Sequence, residues 1–398
     1  MNKKLYMNFW NYDNFDGNDV KHIVKEWKDA QFNLGMTFLY YGDLQTKAEV
    51  LKMLDECQAN GMQTIVCDYR THFNNLIAKG EDEFRKDVEC AVQDFGSHPA
   101  TFAFYVGDEP TKAYWEGAKN AVKIVNELSP VPAFINFLPY WEGYDYLSIM
   151  GCYSSEYEAK LDAFVKESGL NIVAYDCYAC MNTHFKKMGL DMYYKNLAIF
   201  TRVARNNNLP CWCSSLCMGH WDFRAPTLAD MRWQVNTALA YGITGIQWFA
   251  VFDKKRDPND CEILTLNAPY NDFGERTKTW YDMRDVNYQT LARFSDIVPN
   301  LNWQHSWLYG EVYAETRYWY DGVDDTLIHF STTHKDNALI SKFKDNDGCL
   351  YYFFVNTSQE VSNEICIRFT DEYAKFNKKV WLPIGHAYLI KLNRGAKE

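Results

Sequence analysis

Residues 227–252 read TLADMRWQVNTALAYGITGIQWFAVF, and this stretch decides the fold. Thr227 stands where a helix N-cap belongs, and Asp230 three residues on completes a capping box. Leu228, Met231, Val235, Ala238 and Leu239 recur at helical spacing and form one apolar stripe. Gly242 follows, the residue type that most easily adopts the left-handed backbone ending a helix. The chain then passes at once into Ile243–Phe252, an apolar and aromatic run that reads as a buried strand.

Outward from this stretch the same unit recurs. Thr46–Asn60 carries Val50, Leu51, Leu54 and Cys57 on one face, stops at Gly61, and leads into another strand-like run. Eight such runs are legible: Leu5–Trp10, Leu34–Tyr41, Met62–Tyr69, Thr101–Gly107, Val131–Leu138, Asn171–Cys177, Pro210–Leu216 and Ile243–Phe252. Their starts lie roughly 30 to 40 residues apart, the length of a βα unit. This predicts an α/β chain whose residues 1–300 form a (β/α)8 TIM barrel. From Leu301 the pattern changes. Leu308–Tyr320, Thr326–Ser331, Ala338–Phe343, Cys349–Asn356, Glu364–Phe369 and Lys379–Leu392 read as strands, with a hairpin signal at Asp345–Gly348. Residues 301–398 are therefore expected to form a C-terminal antiparallel β-sandwich domain packed rigidly on the barrel.

The bulk composition suits a packed globular protein. Of 398 residues, 47% are hydrophobic and 23% charged, so disorder is not expected. Lys plus Arg number 41 against 52 Asp plus Glu, a net charge of -11, which disfavours nucleic acid and anionic lipid as partners. No apolar run reaches the length of a membrane span. The start is polar and acidic from Asn8 to Asp16, so the expectation is a cytoplasmic protein without a signal peptide, a leader removed beforehand being the alternative. A homo-oligomer is left open. The 12 cysteines are read as reduced thiols rather than a disulfide framework. Cys177, Cys180, Cys213 and Cys217 could in principle hold zinc, but small apolar filler is the favoured reading, and no metal or other cofactor is expected.

In a barrel of this kind the chemistry lies where strands end. There the sequence gathers carboxylates and aromatics, with little Lys and no glycine-rich phosphate loop, which is the composition of a neutral-sugar site. The sharpest signal is Gly107-Asp108-Glu109-Pro110, where an aromatic strand runs straight into two adjacent acids. Glycoside cleavage needs a carboxylic acid kept protonated by apolar surroundings, and Glu109 fits that role; an N-capping segment is the bland alternative. Asp176 is the best further carboxylate: nucleophile, base, hydroxyl clamp or a hydrogen-bonded rim residue. Asp68 and Asp253 are expected to bind substrate or cap loops. Trp10, Trp141, Trp221 and Trp248 lie at strand ends as candidate sugar platforms or core residues, with Tyr175, Tyr178 and His220 as further substrate contacts.

The eight-unit barrel, the acid-Glu-Pro after strand four and the run Tyr241–Trp248 resemble the clan of retaining barrel glycosidases that includes β-galactosidases. That resemblance implies Glu109 as acid/base. The clan usually has Asn before this Glu and a nucleophilic Glu ending strand seven. Here Asp108 takes the Asn position, and Pro210–Cys217 offers no carboxylate. An Asp-Glu pair after strand four also resembles the substrate-assisted barrel β-N-acetylhexosaminidases, including the β-N-acetylgalactosaminidase type. There the sugar's own acetamide oxygen is the nucleophile. This implies Asp108 orienting the acetamide and Glu109 as acid and then base. A carbohydrate substrate is expected on either resemblance; a catalytically idle sugar-binding barrel is the rival from another class.

Overall fold

The computed structural model describes residues 4–10, 19–180, 182, 186–252, 267–271, 273–333, 336–358 and 360–393. Eight parallel strands form a nearly closed barrel: β1 Tyr6–Phe9, β2 Leu34–Met36, β3 Gln63–Cys67, β4 Thr101–Asp108, β5 Ala133–Phe137, β6 Val173–Asp176, β7 Cys211–Leu216 and β8 Gly245–Phe249. Each lies inside or against one of the eight strand-like runs of the sequence. The ladder runs continuously from β2 through β3 to β8 and on to β1. At the β1–β2 seam the Asn33 side chain replaces ladder bonds, accepting from Met7 N–H (2.9 Å) and donating to the Leu5 carbonyl (2.8 Å).

Helices connect the strands as the periodicity predicted. Thr227 caps the helix Leu228–Ala240 in a reciprocal capping box with Asp230, and the chain leaves it through Gly242 at φ +86°. The helix Leu44–Ala59 buries Val50, Leu54 and Cys57, with Leu51 half-buried, and ends before Gly61. Alternate strand residues separate two cores. Tyr6, Met36, Ile65, Phe134, Ala174 and Trp212 fill the barrel interior, whereas Met7, Phe9, Val66, Phe104, Ile135 and Ile246 pack against the helices.

Beyond the helix Lys278–Phe294 the chain forms an antiparallel sandwich: β9 Asn302–Tyr309, β10 Arg317–Tyr318, β11 Leu327–Thr332, β12 Ala338–Lys344, β13 Leu350–Asn356, β14 Asn363–Phe369, β15 Lys378–Leu382 and β16 Ala387–Leu392. A five-stranded sheet, β10-β9-β12-β13-β16, faces a three-stranded one, β11-β14-β15. Trp307, Phe330, Ile340, Tyr352, Phe354 and Ile367 belong to the core between them. Two runs read as single strands are in fact broken. Between β9 and β10 side chains take the backbone donors, Asn337 Oδ1 accepting from Glu311 N–H (2.8 Å) and Asp191 from Ala314 N–H (3.0 Å). Between β15 and β16 a turn closed by His386 N–H on the Pro383 carbonyl sends the chain from one sheet to the other. That turn docks on the barrel: Asn236 donates to the Gly385 carbonyl (2.8 Å), and Arg293 to that of Ala387 (2.5 Å). No helix of the described residues is long and apolar enough to cross a membrane.

Candidate active site

Strand β4 aims the acids. Strict alternation from inward-facing Tyr105 would put Gly107 on the inner face and turn Asp108 outward. A bulge changes the phase: Tyr105 pairs with Phe134 of β5, but Gly107 pairs with Ile135 and Asp108 with Asn136. Asp108 and Asn136 thus share a face, and Asn136 lies in phase with the interior residue Phe134. Gly107 is required at this bend. Its φ is +148°, and a Cβ there would meet the Phe73 ring at 2.1 Å. Glu109 is held at φ +41°, unusual for a non-glycine residue, with its N–H on the Asn136 carbonyl (2.9 Å).

Asn136 Nδ2 donates to Asp108 Oδ1 (3.0 Å) and to Asp176 Oδ1 (2.9 Å). Asp176 also receives hydrogen bonds from the Glu109 carboxyl and from Tyr178. Asp108, Glu109 and Asp176 therefore meet at the C-terminal mouth of the barrel, each half-buried, and no Lys or Arg of the described residues pairs with any of them. Burial, then the charge of Asp176, pushes the Asp108 carboxyl up to about 7. Burial, then Asp176 and Asp108, raises the Glu109 carboxyl well above the ordinary carboxylate range. Burial raises Asp176 too, against the three donors on it. The arrangement is a half-buried acid cluster whose carboxyls are all pushed toward the protonated form, with Glu109 donating to Asp176.

Aromatic rings flank the cluster. On the β1–β4 side Trp10 meets Tyr105 edge-on (5.6 Å), and His72, Tyr69 and exposed Tyr41 continue the row. Burial lowers the His72 ring to about 4, so it is neutral there. On the other side Tyr178, His220, Phe223 and Phe249 pack together, with Trp141 against Phe223 and exposed Trp221 at the rim. His220 is likewise lowered to about 4 by burial and is only 4% exposed.

Other expected contacts lie elsewhere. Asp68 is fully buried with its carboxylate on Arg70 (2.7 Å), and Arg70 also pairs with Asp94 (2.9 Å). It is a structural ion pair behind β3. Tyr175 alternates outward from Asp176 and stacks on Phe200 (4.0 Å) of the helix Lys186–Asn206. Trp248 also points outward, its indole donating to Asn287 (2.7 Å). Both are core residues, because alternation along a strand gives neighbouring side chains opposite faces. Asp253 falls outside the described residues. Cys177, Cys180, Cys213 and Cys217 are buried thiols, and no three His, Cys, Asp or Glu of the described residues gather as a metal site. Asn136 was not singled out from sequence, although a lone amide in the apolar run Ala133–Phe137 needs buried partners. Tyr105 and His72 were missed with it.

No protein-family model and no curated protein matches the sequence. Among solved structures the chain is similar to a β-galactosidase from the psychrophilic Marinomonas ef1, with 9% identity and a TM-score of 0.53 over 75% of this chain and 62% of that one. It therefore spans less than two thirds of that enzyme's length. It is similar as well to a GH5_18 protein of Bifidobacterium longum subsp. longum, with 10% identity and a TM-score of 0.53 over 73% and 80% of the two chains. A GH5_18 protein of Bifidobacterium longum subsp. infantis gives 10% identity and 0.51 over 72% and 79%. At such identities the likeness is one of fold, and the fold is the (β/α)8 barrel.

Proposed function

We propose that this protein is a glycoside hydrolase acting on a β-linked sugar, with Glu109 as general acid and then base. The single observation that carries the reading is the Glu109 carboxyl: protonated by burial and by two neighbouring acids, half-open at the barrel mouth, and flanked by aromatic rings. The folds it resembles belong to a β-galactosidase and to GH5_18 proteins, which agrees with sugar chemistry.

The same geometry favours a substrate-assisted course on a 2-acetamido sugar. Asp176 is in hydrogen-bond contact with both Glu109 and Asn136. It serves as the partner of Glu109, and Asp108 is the carboxylate left for substrate. In the first step the acetamide oxygen attacks the anomeric carbon, the Glu109 proton goes to the leaving oxygen, and the glycosidic bond breaks. Asp108 accepts the acetamide N–H and balances the oxazolinium charge. In the second step Glu109, now ionised, takes a proton from water as that water opens the ring at the anomeric carbon. Glu109 is thereby reprotonated and the sugar released.

A second reading makes Asp176 the nucleophile of a β-galactosidase-like enzyme, because it stands beside Glu109 at the same mouth. Aryl β-glycosides separate the two. Substrate assistance predicts cleavage of aryl N-acetyl-β-hexosaminides, with 2-hydroxy analogues ignored. The opposite preference, with a 2-fluoro sugar trapped on Asp176, establishes double displacement. A protein that binds glycan but cleaves neither series is a sugar-binding barrel.

A further inference from the structure

Asn136 touches all three acids. Its two Nδ2 hydrogens go to Asp108 (3.0 Å) and Asp176 (2.9 Å), and its carbonyl holds the Glu109 N–H (2.9 Å). It is only 3% exposed, and its Oδ1 has no partner among the described residues. A carboxamide NH2 can only donate. It therefore favours the ionised form of each carboxylate it touches, because its hydrogen bond to a carboxylate is stronger than to the carbonyl oxygen of a protonated carboxyl. Glu109 receives no donor from it. Three half-buried acids in mutual contact, with no cation of the described residues beside them, hold fewer than three charges. Where the remaining proton sits is decided by the unequal supply of donors.

The other groups facing the cluster do not reverse this bias. Tyr178, at the end of β6, donates to Asp176 and adds to it. Tyr157, from the helix Tyr157–Ser168, gives its hydroxyl to the Leu138 carbonyl, and burial keeps that phenol un-ionised. Cys177 is a buried thiol, accepting from Asn196 (3.4 Å). His72, behind Gly107, accepts from Asn74 N–H through Nδ1 (3.1 Å) and is neutral.

We infer that Asn136 is a positioning residue that distributes protons in the acid cluster, keeping Asp108 and Asp176 ionised so that the proton resides on Glu109. The inference rests on the glycosidase reading for its meaning but not for its test. Carboxyl titration by 13C NMR, with Asp108, Asp176 and Glu109 assigned through single Asn or Gln variants, reads proton placement whether or not any glycoside is cleaved. In the wild-type chain Glu109 is expected to ionise last. In Asn136→Ala and Asn136→Ser, Asp108 and Asp176 should titrate about one pH unit or more higher. If the enzyme cleaves aryl glycosides, the acid limb of kcat/KM moves up by the same interval, and KM changes little. Asn136→Asp replaces the donor without changing size and should show the largest displacement.

Wild-type Glu109 ionising before both aspartates overturns the inference, even if every variant fails to fold. So does a folded Asn136→Ser that lowers activity uniformly with its titration and pH profile unmoved, because that is the mark of a purely structural amide. Normal titration shifts in a chain that cleaves no glycoside leave the inference standing and remove the glycosidase reading.

Discussion

Two carboxylate clusters lie at neighbouring strand ends, and they differ in one respect. Behind β3, Asp68 and Asp94 share Arg70, and Asp94 also takes Lys47. Burial pushes Asp94 up, but Lys47 and Arg70 more than offset it and hold it below its ordinary value; Asp68, fully buried, is left raised despite Arg70. At the ends of β4 and β6, Asp108, Glu109 and Asp176 share hydrogen bonds, and no cation of the described residues pairs with them. The first cluster is a brace, its charges neutralised and its guanidinium laid over Tyr40 at 5.0 Å. The second has all three carboxyls raised, and under the proposed function it supplies the proton. The presence of a paired cation, more than acid content or depth, separates a structural carboxylate from a reactive one.

The largest test removes the donated proton. Glu109→Gln should lower kcat/KM on aryl glycosides with poor leaving groups by about 10²–10⁴-fold, while its melting temperature holds. An enzyme that keeps its activity would break the contrast at once. Next, Arg70→Met leaves Asp68 and Asp94 buried without their guanidinium. Urea unfolding should show a loss of about 3–5 kcal/mol, the cost of stranding a buried charge. A loss under about 1 kcal/mol would place that cluster among weak surface pairs.

The pH profile sharpens the comparison further. Under the substrate-assisted reading Asp108 must be ionised and Glu109 protonated. With Asp108 at about 7, activity should fall below that pH, and it should fall again only once Glu109, raised well above the ordinary range, loses its proton. Measuring kcat/KM from pH 5 to 10 checks both limbs. A smaller effect concerns stability. A carboxyl whose folded pKa lies above its unfolded value contributes stability below the unfolded value, and that contribution is lost as pH rises through about 7. Asp108→Asn removes the dependence, so its melting temperature should exceed wild type by roughly 2 °C at pH 8 and not at pH 4.

Much of the barrel was legible before any coordinate. The capping box at Thr227 and the glycines Gly61 and Gly242 after their helices are local signals, set by backbone donors and by φ. Glu109 and Asp108 stood out as candidates because a barrel strand ended in two acids and a proline, a pattern an N-capping segment shares. Tyr175, expected as a substrate contact, and Trp248, left open between sugar platform and core, both face the helices because each is the neighbour of an inward residue. Phase along a strand can be read when alternation is clean. In β4 the bulge between Tyr105 and Gly107 shifts it, and the one local sign is Gly107, which by itself does not say that the phase changes.

By itself the sequence determined the order of strands and helices, the change to antiparallel strands after Leu301, and the chemical identity of the acid pair. These follow from hydrophobic period, caps and turn residues, which act over a few positions. Only the tertiary structure decided which acids meet. Asp108, Asn136 and Asp176 belong to three strands far apart in the chain, and ring closure with a bulge brings them within hydrogen-bond reach. It also decided which carboxylates received a cation: Arg70 turns to Asp68 and Asp94, and among the described residues no counterpart reaches Glu109. Charge neutralisation depends on distances between remote residues, which composition and spacing do not encode.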